Sequence, residues 1–471
     1  MKKIFIVFLI FNFSSAFAQT LTSSNRLIAD AFKLSANTVD INTRRGILAA
    51  GGDYGGDWTR DISINSWNGV SLLRPDVAKR SLWSVTVNKD SVGLQYWDKI
   101  IWVIAAYNHY KLTGDKAFLK QAYICSAMTM KRLEQLSYDK NYGLFRGPSV
   151  FNDGIAGYPE PIYEPSNYSS SVLDHKGSLY IKCLSTNCVY YGAYQTLIKM
   201  AEVLNKDSSV MADYRQKSAM LKSNILKYFY NPQSNTLNYL IDQNGKVNPS
   251  QEGLGISFAI IFDILDGLPA KQIISNAAVS KYGITSIYPD FPRYSHDKPG
   301  RHNNIIWPMV NGFFARAAIA AESYAPFTNE LYAETHLALD EDKGNYDFRE
   351  VYNPYTGEPD GGWQTSGSAT PSHWESCRLQ TWSATAYISM VLNGLLGLRF
   401  NENALLFEPY LPEGIGQITL GDLTYRNAVL NITIKGRGNL IKTFMIDGKT
   451  LKRHLIASST KGKHNIFIEL K

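Results

Sequence analysis

Apolar residues recur at intervals of three and four from about Leu21 to about Gly397, the spacing that turns one face of a helix toward a core. The pattern predicts roughly twelve helices. Asp61 to Leu73, Trp97 to Leu112, Lys116 to Gln135, Val189 to Leu204, Asn304 to Ala321 and Thr381 to Leu396 are the clearest. Long connections separate many of them and carry the unusual residues: Gly51 to Trp58, Gly143 to Tyr168, Tyr288 to His302 and Tyr346 to Glu375. A helical array with such loops is a scaffold with a site on its rim. After Leu396 the period changes to two. Ala404 to Glu408, Gln417 to Leu420, Ala428 to Ile434, Leu440 to Ile446 and Asn465 to Leu470 alternate apolar and polar residues, punctuated by Gly436, Gly438, Asp447-Gly448 and Lys461-Gly462. The expected fold class is therefore mainly α, with a helical domain over residues 19–397 and a small β-sandwich over 398–471. No low-complexity linker separates them, so docking is expected.

The first eighteen residues break the helical pattern in another way. Lys2-Lys3, the apolar run Ile4 to Phe13 and Ala16-Phe17-Ala18 are the three parts of a secretory signal peptide, and the run is too short to span a bilayer. An exported, periplasmic, soluble protein beginning at Gln19 is expected. Loss of two lysines would lower the net charge from +7 to +5, and the basic residues are scattered, which argues against nucleic acid as a partner. Four cysteines are too few for a disulfide scaffold. Cys183 and Cys188 are spaced to close a small loop, while Cys125 and Cys377 read as separate buried thiols. No metal site, cofactor or obligate protein partner is expected, and no membrane insertion.

Aromatic residues make up 13% of the chain, and several of the 29 tyrosines and 9 tryptophans sit in loops among Gly, Asp and Asn. An aromatic face stacks on a pyranose while neighbouring acids and amides bind its hydroxyls, so these loops suit a carbohydrate. Gly51-Gly52-Asp53-Tyr54-Gly55-Gly56-Asp57-Trp58-Thr59-Arg60-Asp61 combines glycines for close backbone approach with Trp58 as a wall. Arg60 and Asp61 there form a donor–acceptor pair for adjacent hydroxyls, and Asp61 stands where it can cap the next helix. Gln95-Tyr96-Trp97-Asp98, with Trp102 one turn on, offers a second pocket wall or a charge opposing a helix dipole. Asp153, in Phe151-Asn152-Asp153-Gly154, has apolar neighbours that disfavour its charged form, as a general acid requires, although Asn-Asp-Gly also makes an ordinary turn. His302 and Asn303 precede Trp307-Pro308, where an asparagine can cap a helix and His302 or Asn303 can bind a hydroxyl. Finally, Phe348-Arg349-Glu350-Val351-Tyr352-Asn353-Pro354-Tyr355-Thr356-Gly357 projects Glu350 from a turn-rich loop ahead of Gln380-Thr381-Trp382. Asp153 and Glu350 are then a candidate pair for glycoside hydrolysis, which needs two carboxylates flanking the bond.

Arg60-Asp61 after Trp58, Trp97-Asp98 before Trp102, Asn152-Asp153-Gly154, His302-Asn303-Asn304-Ile305-Ile306-Trp307-Pro308 and the Glu350 to Ala384 block occur in the order found in the six-hairpin glycosidases. Nearly the whole chain takes part in this resemblance. It is similar to glycoside hydrolase family 63, which includes processing α-glucosidases and mannosylglycerate hydrolases, and more distantly to glucoamylases and glycogen debranching enzymes. The resemblance implies an (α/α)6 barrel and an inverting exo-α-glycosidase, α-glucosidase-like in type. It implies Asp153 as general acid, Glu350 as general base, and Trp58, Arg60, Asp61, Trp97, Asp98, Trp102, His302, Asn303, Trp307, Trp363 and Gln380 around the substrate. Asp174, Glu160 and Glu164 are rivals to Asp153, and Glu375 to Glu350. The chain departs from the family's pattern in carrying Phe151-Asn152 where a tryptophan is common, and helices are expected almost directly after the signal, without the N-terminal β-domain that many relatives carry. An inverting disaccharide phosphorylase, which needs no base, and a non-catalytic sugar-binding protein are the alternatives.

Overall fold

The computed structural model describes residues 19–340 and 346–471, so the expected signal peptide lies outside the described residues. The helices are α1 (Arg26–Ile41), α2 (Thr59–Asn65), α3 (Ser71–Leu73), α4 (Pro75–Ser84), α5 (Ile101–Thr113), α6 (Lys116–Ser137) and α7 (Leu184–Val203). They continue with α8 (Ser208–Phe229), α9 (Gly253–Ile261), α10 (Gly267–Asn276), α11 (Pro308–Ala320), α12 (Tyr324–Leu339) and α13 (Thr381–Ser389). Six of them form an inner ring in which α2, α5, α7, α9, α11 and α13 each pack on the next and α13 returns to α2. The other long helices lie outside: α1 on α13, α4 on α2 and α5, α6 on α5 and α7, α8 on α7, α10 on α9 and α11, and α12 on α11.

Sequence explains which helix takes which layer. Inner α11 is apolar or small nearly all round, and only Arg316 and Ala320 of its residues escape full burial. Outer α8 buries only Ser218, Leu221, Ile225 and Phe229, one stripe spaced three and four residues apart, and turns the rest to solvent. Between α2 and α3 the chain makes a π-helical turn, Ser66–Val70, with Gly69 at φ 145°. A Cβ there would meet Ile388 Cγ2 at 2.5 Å, so glycine lets this turn lie against α13.

Several boundaries differ from the expected ones. Helix α2 starts at Thr59, which puts Asp61 in its first turn; the N-cap is Trp58, with no side-chain cap. Likewise α11 begins at Pro308, and its N-cap is Trp307 rather than Asn303 or Asn304. Cys125, Cys183, Cys188 and Cys377 are all free and buried, so the Cys183–Cys188 loop does not form. Cys183 precedes α7 and Cys188 points from its first turns into the core.

The C-terminal part is two facing sheets. One has six strands, including Gln417–Tyr425, Asn427–Lys435, Ile441–Ile446 and Lys461–Leu470; the other has Leu398–Phe400, Ala404–Phe407 and Leu455–Ala457. Phe407 and Phe444 meet between them, ring centroids 5.4 Å apart. The six-stranded sheet recruits Thr20–Ser23, which pairs antiparallel with Ile418–Gly421 at its edge. The chain therefore enters through the β-layer before its first helix. Arg426 of this layer donates to the carbonyls of Lys111 at 3.1 Å and Glu402 at 3.0 Å, joining it to the end of α5.

Candidate active site

Helices α2, α11 and α13 begin directly after Trp58, Trp307 and Gln380, and α5 begins three residues after Asp98. Their N-termini therefore share one end of the ring. A cavity of about 410 Å³ opens there, lined by Ala50, Tyr54, Trp58, Arg60, Asp61, Gln95, Asp153, Gly154, Ser170, Ser171, Arg301, His302, Trp307, Glu350, Gln364, Trp374, Gln380 and Trp382. That volume accommodates a sugar-sized ligand. Trp58, 47% exposed, stands at the rim, and Trp307 is buried beneath His302 with the two rings stacked 4.6 Å apart. His302 takes a left-handed backbone, φ 60°, a conformation costly for a side-chain-bearing residue and common at functional sites.

Two similar units face the cavity. Arg60 Nη2 lies 3.2 Å from Asp153 Oδ2, and the Arg60 guanidinium sits over Trp382 at 5.4 Å. Arg301 Nη2 donates to Glu350 Oε1 at 3.1 Å, and its guanidinium sits over Trp374 at 5.1 Å. Each carboxylate is thus held by its own arginine, itself held over a tryptophan. The second oxygen of Glu350 accepts from the Tyr54 hydroxyl at 2.9 Å. Glu350 is almost buried, with 5% of its side chain exposed, whereas Asp153 is 43% exposed. With its side-chain amide oriented to satisfy both neighbours, Gln380 donates to the Ala50 carbonyl at 3.3 Å and accepts from Trp382 Nε1 at 2.9 Å, which fixes the start of α13 against the glycine loop. The glycines of that loop divide in purpose: a Cβ on Gly51 would strike Gln380, while one on Gly55 would meet nothing.

Charge is unevenly distributed. Burial raises the Asp153 carboxyl, but Arg60 first, then His302 and Arg301, outweigh it and hold its pKa below the ordinary value. Burial pushes Asp61 and Asp98 up to about 7 against the pull of Arg60. His302 is pushed down to about 3 by burial and then by Arg301, so its ring is neutral at neutral pH. The site thus pairs an ionised Asp153 with two neighbours that hold protons near neutrality, and the three carboxyls titrate as a cluster around Arg60.

Away from the cavity, burial likewise pushes Glu252 and Glu330 up to about 7. A carboxyl whose pKa is raised by folding binds its proton more tightly folded than unfolded. Its contribution is complete below the unfolded pKa near 4 and is lost as pH rises through 7. Thermal melts are therefore expected to give a Tm a few degrees higher at pH 5 than at pH 8, with a smaller difference in Glu330→Gln. Equal slopes in the variant and the parent would refute the assignment to Glu330.

Of the residues singled out from sequence, Trp58, Arg60, Asp61, Asp153, His302, Trp307, Glu350 and Gln380 come together on this cavity. Trp97, Asp98, Trp102, Asn303 and Trp363 do not line it. Trp102 is fully buried, donates to the Leu82 carbonyl at 2.8 Å and packs on Trp83. Trp97 is 1% exposed and packs edge-on to Tyr96. Asp98 lies behind the wall, 3.6 Å from Arg60 Nη1, and Asn303 donates to the Ala156 carbonyl at 3.2 Å. Trp363 pairs with His373 on the neighbouring strand, and alternation gives the cavity Gln364 instead. Glu160, Glu164, Asp174 and Glu375 also lie outside its lining. Tyr54, Arg301, Trp374 and Trp382 were not among the expected site residues. Tyr54, Arg301 and Trp382 lie within or beside the site motifs, and an aromatic or arginine next to a site loop was the available signal. Among the described residues, no group of three or more His, Cys, Asp or Glu could hold a metal, and no helix is long and apolar enough to cross a membrane.

Residues 75–383 match the family described as mannosylglycerate hydrolase MGH1-like glycoside hydrolase domain, and that stretch is well over half of the chain. The chain belongs to this glycoside hydrolase family. A search of curated proteins found no match. Solved structures similar to this family member include one described as a sialidase, with TM-score 0.70 and 14% identity over 92% of this chain and 40% of that one. The GH63 mannosylglycerate hydrolase from Thermus thermophilus in complex with glucose has TM-score 0.59 and 13% identity over 76% of this chain and 99% of its own. The GH78 family rhamnosidase of Bacillus sp. GL1 has TM-score 0.60 and 12% identity over 96% of this chain and 44% of that one. The family member thus spans less than half of the sialidase and the rhamnosidase, and shares with all three the six-hairpin glycosidase fold.

Proposed function

We propose that this glycoside hydrolase is an exported, inverting exo-α-glycosidase, α-glucosidase-like, that releases a terminal α-linked sugar from a small oligosaccharide or glycoside. The observation that carries the reading is the convergence of Asp153 and Glu350, from loops far apart in sequence, on one sugar-sized cavity with an arginine on each. We read the closed ring of inner helices with its outer layer as an (α/α)6 barrel. The glucose held by the Thermus relative supports a glucose-type pocket here.

In this reading Arg60 and Asp61 bind hydroxyls of the terminal sugar, and Trp58, Trp374 and Trp382 wall it. Asp98 acts through Arg60, which it holds from behind. Sugar hydroxyls compete for Arg60, and the bound sugar removes water from Asp153. Both changes raise the Asp153 pKa and allow it to protonate the leaving oxygen. Glu350, anchored by Arg301 and Tyr54, takes the proton of a water attacking the opposite face of the anomeric carbon. No covalent sugar–enzyme bond forms, so the configuration inverts.

A panel of α-linked glucosides and mannosides, glycerate glycosides included, tests the substrate class. Proton NMR of the first product is expected to show the β-anomer before mutarotation. Retention of the α-anomer would overturn the role of Glu350, and a rate dependent on inorganic phosphate would identify a phosphorylase instead.

A further inference from the structure

The inner helices that start at the site end at a second opening. There a cavity of about 470 Å³ is lined by Trp67, Tyr107, Lys111, Phe262, Arg316 and Glu402, among others. Arg316 is a half-buried arginine, the one charged residue on its inner helix. Its guanidinium lies 4.7 Å from the Trp67 ring centroid, and Trp67 in turn stacks on Phe262 at 5.9 Å. Lys111, the basic residue in the last turn of α5, has its Nζ 5.8 Å from the Tyr107 ring. Among the described residues neither cation has a hydrogen-bond or ion-pair partner for its side-chain nitrogens.

The neighbouring charges are committed elsewhere. Lys199 pairs with Glu202 at 3.3 Å and Arg399 with Glu408 at 3.3 Å. Glu402 accepts from the Tyr107 hydroxyl; it offsets Lys111 in part and makes no ion pair with Arg316. Among the described residues Asp263, on the same lining, makes no ion pair with either. Burial, then Arg399, pushes Arg316 down to about 9, and burial, then Arg316, pushes Lys111 down to about 8. Two cations therefore share the lining of a partly desolvated space, and among the described residues neither is ion-paired. Unpaired charge in such a space is costly, and an anion would relieve the cost by accepting from both.

We propose that this opening is a second ligand site, for a small molecule carrying a carboxylate or phosphate group that bridges Arg316 and Lys111 with its body against the aromatic wall. The site is separate from the cavity of Asp153 and Glu350 and does not depend on the activity proposed for them.

Isothermal titration calorimetry of the full chain at pH 7 and constant ionic strength tests it, with inorganic phosphate and glucuronate as probes. Saturable binding of at least one probe at one site per chain is expected, and the two titrations decide between phosphate and carboxylate. Arg316→Met and Lys111→Met are each expected to weaken binding at least about tenfold, the loss of one charge-assisted contact. Glu350→Gln should leave it unchanged. Neither probe binding, binding indifferent to either cavity substitution, or binding lost in Glu350→Gln would each overturn the proposal. Circular dichroism melts check the variants: removing an unpaired cation should leave the melting temperature equal or higher. Should Arg316→Met not fold, Lys111→Met and Arg316→Lys carry the test, the latter expected to retain binding within about tenfold because it keeps the charge.

Discussion

Glu350→Gln is expected to lower kcat on a natural α-glycoside by about 10³ to 10⁴-fold while changing KM by less than about threefold, the loss associated with removing a general base. The amide preserves shape and one oxygen for the Tyr54 and Arg301 donors. It cannot take a proton from water. Steady-state kinetics checks the loss. Because the substitution leaves Arg301 without its counter-charge, a circular dichroism melt is needed beside the kinetics to show that the protein remains folded. Turnover within about tenfold of the parent would remove Glu350 from the chemistry and direct attention to Asp61, the other acid on this cavity coupled to both Asp153 and Glu350.

The second large effect belongs to Asp153→Asn. A similar loss, about 10³-fold in kcat, is expected with an alkyl leaving group, which must be protonated as it departs. With a glycosyl fluoride, whose leaving group needs far less help from an acid, the loss should shrink to about tenfold or less. This contrast separates an acid from a residue that only holds the sugar: a binding residue would affect both substrates alike and through KM. Removing the carboxylate also frees Arg60 from its partner at 3.2 Å, but Asp98 still faces the other side of the guanidinium. The wall of the pocket should therefore persist, and binding of the released sugar should weaken by no more than about tenfold.

Much of this site was legible because its residues are chemically out of place where they stand. Glu350 sits among turn formers, and Arg60-Asp61 follow a tryptophan on a glycine loop. The tryptophans were the least legible. Trp58 and Trp97 look alike in sequence, each beside polar residues just ahead of a helix, yet Trp58 is 47% exposed at the rim while Trp97, like Trp102 in its apolar run, is in the core. Which way an indole points depends on where its helix sits in the ring. Local composition does not encode that. The same reason separates Trp363 from Gln364, which exchange pocket and outer wall if the strand is turned by one residue.

Local periodicity marked the long helices before Leu396 and the longer strands after it, because those patterns follow from the geometry of each element alone. Residue chemistry likewise singled out loop residues that share one cavity, among them Trp58, Arg60, Asp153 and Glu350. Tertiary structure alone decided that Arg301 and Arg60 each take one carboxylate, that Asp98 stands behind Arg60, and that Thr20–Ser23 closes the edge of a sheet built from the far end of the chain. Each of these joins segments distant in sequence, and its energy comes from burial and charge pairing that exist only after the ring has closed.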